Sequence, residues 1–192
     1  MRDIIVIGAP VGSGAAIAHL IGKLPADLDV SVFVVLHTTP ENPILLADVL
    51  NAPGRMRAAE ALHGEAINRR RIYVAADGHH LLIRNGEVNL SANGQKTKHR
   101  PSIDVLFSSA AEAYNARVIG VLLLHCEGDG SAGLHAIRRA GGRTITHRNE
   151  RMTEQPKHGE TGDLLSDEHL DLEQIPPRVL EYVHEANGAN GA

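Results

Sequence analysis

The sequence predicts an α/β fold: a doubly wound, mostly parallel sheet with an antiparallel hairpin at its edge. Short apolar runs alternate with stretches of helical periodicity along most of the chain, which is typical of a parallel sheet covered on both faces. Asn85-Gly86, between two alternating segments, is a strong signal for a two-residue hairpin turn. At 192 residues, the chain is expected to form one domain over 1–186, with a disordered tail at 187–192.

The first part of the chain contains two strand–helix repeats. Residues 4–7 are a continuous apolar run, as expected of a strand buried on both faces, and 15–23 carry apolar residues at helical spacing. A second buried strand is predicted at 30–36, followed by a helix at about 42–50.

The middle of the chain changes character. A strand is predicted at 72–75, and the segments 80–84 and 87–90 flank the hairpin turn. After a polar loop, a helix is expected to begin with Ser102 as its N-cap and to reach about Tyr114.

The last part returns to the alternating pattern. Strands are predicted at 117–124 and 143–147, with a helix at 131–140 between them. Residues 148–170 lack periodicity and are expected to form a loop with one helical turn, and a final helix is predicted at about 178–184.

Composition excludes several classes of protein. Aromatic residues make up 3% of the chain, tryptophan is absent and the formal net charge is −4, so a nucleic-acid partner is not expected. The single cysteine, Cys126, cannot form an intrachain disulfide and fits a reducing compartment. No apolar run is long enough to span a bilayer and no signal peptide is recognisable, so a cytoplasmic protein without membrane insertion is expected.

The first turn carries the layout of a hydrolase nucleophile. Gly8-Ala9-Pro10-Val11-Gly12 lies between a strand and a helix, as in the Gly-x-Nuc-x-Gly turn that presents a serine. Pro10 stands where that serine would be, and proline has no hydroxyl. His37 and Asp129 also follow predicted strands, so they are expected to converge on the same crevice as a base and its orienting carboxylate.

Two other residues are candidate nucleophiles. Ser13 lies about one helical turn beyond Pro10, too far to replace the missing hydroxyl without a shift, and a serine there more commonly caps the helix or binds an anion. Cys126 is intrinsically more nucleophilic and follows a strand, next to His125, although cysteines in such places are commonly buried and inert.

Metal and nucleotide sites are weaker interpretations. The chain has 12 histidines, but their spacing matches no compact ligand motif, and the adjacent His79 and His80 would face opposite sides of a strand. The pattern Gly8-x-x-x-Gly12-x-Gly14 matches neither the dinucleotide fingerprint nor the phosphate-binding loop with its lysine, so nucleotide binding is only an alternative. No metal or other cofactor is expected.

Several collinear motifs resemble one family. They are Val6-Ile7-Gly8-Ala9, Phe33-Val34-Val35-Leu36-His37, Ile72-Tyr73-Val74-Ala75, Asp77-Gly78-His79-His80-Leu81, Arg100-Pro101-Ser102-Ile103-Asp104-Val105-Leu106-Phe107, Gly128-Asp129-Gly130-Ser131-Ala132-Gly133-Leu134 and Arg139-Ala140-Gly141-Gly142. The chain is thereby similar to the catalytic domain of CheB, the chemotaxis receptor protein-glutamate methylesterase, from Ile4 to about Ile145.

The resemblance implies roles for individual residues. His37 matches the general base, Asp129 matches the carboxylate that orients it, and Pro10 matches the nucleophilic serine. Substrate contacts are expected from Val11, Gly12, Arg100 and Cys126. The chain departs from the family pattern at Ser13, where the family has glycine, and over 124–127, a run that includes a main-chain oxyanion donor in the family.

The resemblance also implies a function and a partner. The expected reaction is hydrolysis of glutamate methyl esters on a methyl-accepting chemoreceptor or a related signalling protein, weakened or abolished by Pro10. Whole members of the family carry a phosphorylated receiver domain, as part of a phosphorelay, and no such domain is recognisable here. The alternative is a non-catalytic module that binds a receptor or signalling partner through the same cleft.

Overall fold

A computed structural model of the chain describes residues 2–38, 46–51, 56–92, 99–123, 128–148, 157–158 and 163–185. In these ranges the strands are β1 (Ile4–Ala9), β2 (Ser31–Leu36), β3 (Arg57–Glu60), β4 (Arg71–Val74), β5 (His80–Arg84), β6 (Glu87–Ser91), β7 (Val118–Leu122), β8 (Arg143–His147), β9 (Lys157–His158), β10 (Asp163–Leu164) and β11 (Glu168–Leu170). The α-helices are α1 (Gly14–Gly22), α2 (Leu46–Leu50), α3 (Ile103–Tyr114), α4 (Ser131–Arg139) and α5 (Ile175–Glu185).

The main sheet confirms the predicted fold class. Within the described ranges it has seven strands in the order β11-β8-β7-β1-β2-β4-β3, and each neighbouring pair is parallel. The strands β5 and β6 pair antiparallel in full register around Asn85-Gly86, as predicted. They do not extend the edge of the main sheet but form a separate two-stranded sheet that packs on α3.

The core has two layers because successive β1 side chains point to opposite faces of the sheet. Ile5 and Ile7 pack with α1 and α5 on one face, whereas Ile4 and Val6 pack with α3, α4 and the hairpin on the other. The strand β1 pairs with β2 on one side and with β7 on the other, so the order of the strands reverses at β1. A crevice is expected outside the carboxyl ends of strands at such a switch point.

Other expectations need correction. Segment 57–60 was not predicted as a strand, yet it forms the edge strand β3. The described residues of 148–170 contain short strands instead of a helical turn, and β11 joins the main sheet beside β8. The last helix begins at Ile175, three residues earlier than predicted, so both prolines lie inside its first turn. The tail at 187–192 lies outside the described residues.

None of the helices in the described ranges is long and apolar enough to cross a membrane.

Candidate active site

Asp129 is held in a turn between β7 and α4 and is 4% exposed. Gly128 and Gly130 flank it with φ angles of +81° and +103°, a left-handed backbone that glycine adopts without a Cβ clash. This turn directs the carboxylate at the first residues of α3.

Four donors surround that carboxylate. Oδ1 accepts hydrogen bonds from Ser102 Oγ at 2.9 Å and from the Asp104 amide at 2.9 Å. Oδ2 accepts from the Ile103 amide at 2.7 Å and from His37 Nε2 at 2.9 Å. Burial alone would raise the pKa of Asp129, but hydrogen bonds from His37, the α3 amides and Ser102 outweigh it and hold the pKa below its ordinary value.

His37 directly follows β2 and is buried beside β1. Its amide donates to the Ala9 carbonyl at 3.0 Å, which places it next to the turn that begins at Pro10. Its ring stacks on that of His99, with centroids 4.2 Å apart and planes 12° from parallel. Because an ionised Asp129 can only accept, Nε2 carries the proton, and Nδ1 of the neutral ring has the lone pair that a base requires. The structure therefore brings together two of the three residues predicted to converge.

The first turn lies beside this pair. Pro10 is half-buried, while Val11 and Gly12 are exposed, and Gly12 has a φ of +86°. Ser13 is only 2% exposed, and its Oγ has no hydrogen-bond partner within the described ranges. It stands at the N-cap position of α1 but makes no side-chain cap bond, so the capping expectation is wrong. Ser13 also lacks the hydrogen bond to His37 that would activate it as a nucleophile.

Of the predicted substrate contacts Arg100 and Cys126, the structure describes only Arg100. Arg100 is exposed, two residues before Ser102. Cys126 and His125 lie outside the described residues, as does the rest of 124–127, so their predicted roles stay predictions. Among the residues that are described, no group of three or more histidine, cysteine, aspartate or glutamate side chains is arranged to hold a metal ion.

Sequence reasoning missed three neighbours of the pair: His80, His99 and Asp104. His80 is 1% exposed, and its Nδ1 accepts from the Ser102 amide at 3.2 Å. Burial lowers the pKa of His80, the Arg100 charge lowers it further and Asp129 partly opposes both. All three residues lie within or beside the family motifs, but those motifs do not show what each side chain contacts.

Comparisons with known proteins identify the family and agree with the fold. The family model described as CheB methylesterase matches residues 5–179. The crystal structure of the Thermotoga maritima CheB methylesterase catalytic domain superposes with a TM-score of 0.80 at 27% identity, covering 94% of this chain and 98% of that one.

Curated relatives give the same result over part of their length. A protein-glutamate methylesterase/protein-glutamine glutaminase 2 of Methanosarcina mazei is 30% identical over 195 residues, covering 95% of this chain and 52% of the relative. A protein of the same name from Anaeromyxobacter dehalogenans is 36% identical over 143 residues, covering 74% of this chain and 42% of the relative. The chain thus spans about half the length of these relatives.

Proposed function

The chain belongs to the CheB methylesterase family, and from this premise we propose that it is a chemosensory domain that recognises glutamate methyl ester side chains on a receptor-type protein. We propose further that its hydrolytic turnover is very weak or absent. Residues 1–186 act as one domain in this proposal.

The His37–Asp129 pair carries the proposal. Asp129 Oδ2 fixes the imidazole through Nε2 at 2.9 Å, so that Nδ1 is the basic atom. In a hydrolase of this kind the base removes a proton from the nucleophile and later delivers it to the leaving alcohol. This hydrogen bond supports the assignment of His37 as the base and of Asp129 as the carboxylate that orients it.

Pro10 is the reason for expecting weak turnover. Proline contributes no hydroxyl and no amide proton at the position that we assign to the nucleophile. Loss of the nucleophile from a catalytic triad costs a factor of about 10⁶ in turnover. Val11 and Gly12 remain exposed for substrate contact, and we assign Arg100 and Cys126 to the same role by family resemblance.

A second candidate function is binding without hydrolysis. It is favoured by the hydrogen bonds to Asp129, because three of the four donors belong to the start of α3. Asp129 therefore stabilises this helix even in a protein without catalytic activity, and its presence does not require hydrolysis. In this alternative the same cleft captures the receptor and releases it unchanged.

One experiment separates the two functions. Methylated receptor is incubated with wild-type protein, with His37→Ala and with the exposed control His184→Ala, and both methanol release and receptor capture are measured. Slow methanol release that disappears only in His37→Ala supports the esterase. Receptor capture without methanol release supports the binding module. A protein that shows no receptor capture and no methanol release would contradict the proposal.

A further inference from the structure

The helices α3 and α4 begin side by side, and each start is capped by an aspartate from the other segment. Asp129, just before α4, accepts from the amides of Ile103 and Asp104 at the start of α3. Asp104, in the first turn of α3, accepts through Oδ1 from the amides of Gly130 and Gly133, at 2.9 and 2.7 Å. Asp129 therefore caps α3, and Asp104 caps α4.

The close approach of the two helices depends on glycine. A Cβ atom at Gly133 would overlap the Cβ of Phe107 and lie 3.2 Å from the Cα of Asp104. Because no side chain intervenes, the Asp104 carboxylate reaches the α4 amides directly. Its contact with Gly130 falls on the residue immediately after Asp129.

We propose that Asp104 is a positioning residue: by binding the amides of Gly130 and Gly133, it fixes the turn that presents Asp129 to His37. It does not touch the imidazole and acts through the turn. This assignment concerns the geometry of the pair and holds whether or not the chain hydrolyses an ester.

The electrostatics agree with this role. Burial raises the pKa of Asp104, the amide of Gly133 opposes the rise, and the nearby Asp129 charge adds to it. Two neighbouring carboxylates repel each other, so the turn keeps its shape only while backbone amides compensate both charges. Removing Asp104 leaves the Gly130 and Gly133 amides without their acceptor.

The test follows the proton on His37 Nε2 and the amide protons of Gly130 and Gly133 by NMR in uniformly ¹⁵N-labelled protein, the His37 signal being assigned by its loss in His37→Ala. Asp104→Ala is expected to accelerate solvent exchange of this proton and of the Gly130 and Gly133 amides by about tenfold or more, since hydrogen bonds to a charged acceptor are lost. Asp104→Asn keeps an acceptor oxygen and is expected to lie much closer to wild type.

Ser102→Ala is the matched control. It also removes a side chain that caps α3 and contacts Asp129, but it leaves the Gly130 amide bound to Asp104. The His37 proton should remain protected in this variant. Equal loss of protection in Ser102→Ala and Asp104→Ala would overturn the proposal, because general fraying of α3 would then explain both.

Asp104→Asn serves alone if Asp104→Ala does not fold. An amide oxygen is a weaker acceptor than a carboxylate, so exchange in Asp104→Asn is expected to be faster than in wild type but slower than in Asp104→Ala. The increase should be similar at Gly130, Gly133 and His37. Faster exchange at the glycines with an unchanged His37 proton would overturn the proposal, and so would no change at any of the three.

Discussion

Replacing Asp129 by alanine is expected to lower the free energy of unfolding by about 3–5 kcal/mol, because it removes the charged acceptor of several buried hydrogen bonds. The carboxylate is 4% exposed and serves four donors, of which two are backbone amides of α3. Alanine leaves those amides, a serine hydroxyl and the His37 N–H without an acceptor.

The magnitude follows from those contacts. Loss of a helix N-cap costs about 0.5–2 kcal/mol, and a hydrogen bond to a charged acceptor contributes about 1.5–3 kcal/mol. The sum of four such bonds overstates the loss, because water enters the space and the freed groups rearrange. A value of about 3–5 kcal/mol is still a large share of the 5–15 kcal/mol by which a typical domain is stable.

Urea unfolding at neutral pH, followed by circular dichroism, measures this change through the midpoint and the m-value. Glu112→Ala is the control, since Glu112 is exposed on the same helix and its replacement should cost no more than about 0.5 kcal/mol. An Asp129→Ala protein as stable as wild type, with an unchanged m-value, would refute the reasoning. It would mean that burying the Asp129 carboxylate costs as much free energy as its hydrogen bonds contribute, so that Asp129 gives α3 no net stabilisation.

Two further predictions concern the surroundings of the pair. Gly133→Ala is expected to cost about 1–3 kcal/mol by overpacking against Phe107, and a melting temperature equal to wild type would contradict the close helix contact. His80 has a lowered pKa in the folded protein, so as the pH falls the unfolded state binds a proton before the folded state does. The contribution of neutral His80 to stability is therefore full above the ordinary histidine pKa of about 6.5 and is lost as the pH falls from that value towards the folded pKa. His80→Asn keeps an acceptor for the Ser102 amide and should lose less stability than wild type between pH 7 and about 5, whereas the exposed control His184→Asn should follow wild type. Unfolding curves for His80→Asn and wild type that change equally with pH would contradict this reading of His80.

The parts of the fold that sequence predicted are those with a local signal. The apolar runs of β1 and β2 and the cap at Ser102 each depend on a few neighbouring residues, and Ser102 does accept from the Val105 amide. Segment 57–60 has no such signal, since it is half alanine with charged ends. It becomes a strand because it pairs with β4, a contact that no local pattern encodes.

The same distinction holds for the site. His37 and Asp129 were predictable because parallel strands bring their carboxyl ends together at one edge of the sheet. The neighbours His80, His99 and Asp104 depend on how the hairpin and the two helix starts are packed, and their spacing along the chain carries no trace of that arrangement. Glu168 is comparable, since its bonds to Arg178 and Tyr182 appear only when β11 and α5 meet.

The central claim is that the chain keeps the base and its orienting carboxylate while Pro10 removes the nucleophile. Methanol release from methylated receptor by wild type, Pro10→Ser and Pro10→Ser/His37→Ala tests it most directly. We expect background release by wild type, a rise of about 10²-fold or more in Pro10→Ser, still below a complete triad, and a return to background in the double variant. Robust release by wild type that Pro10→Ser does not increase would contradict it, as would a Pro10→Ser protein that stays at background.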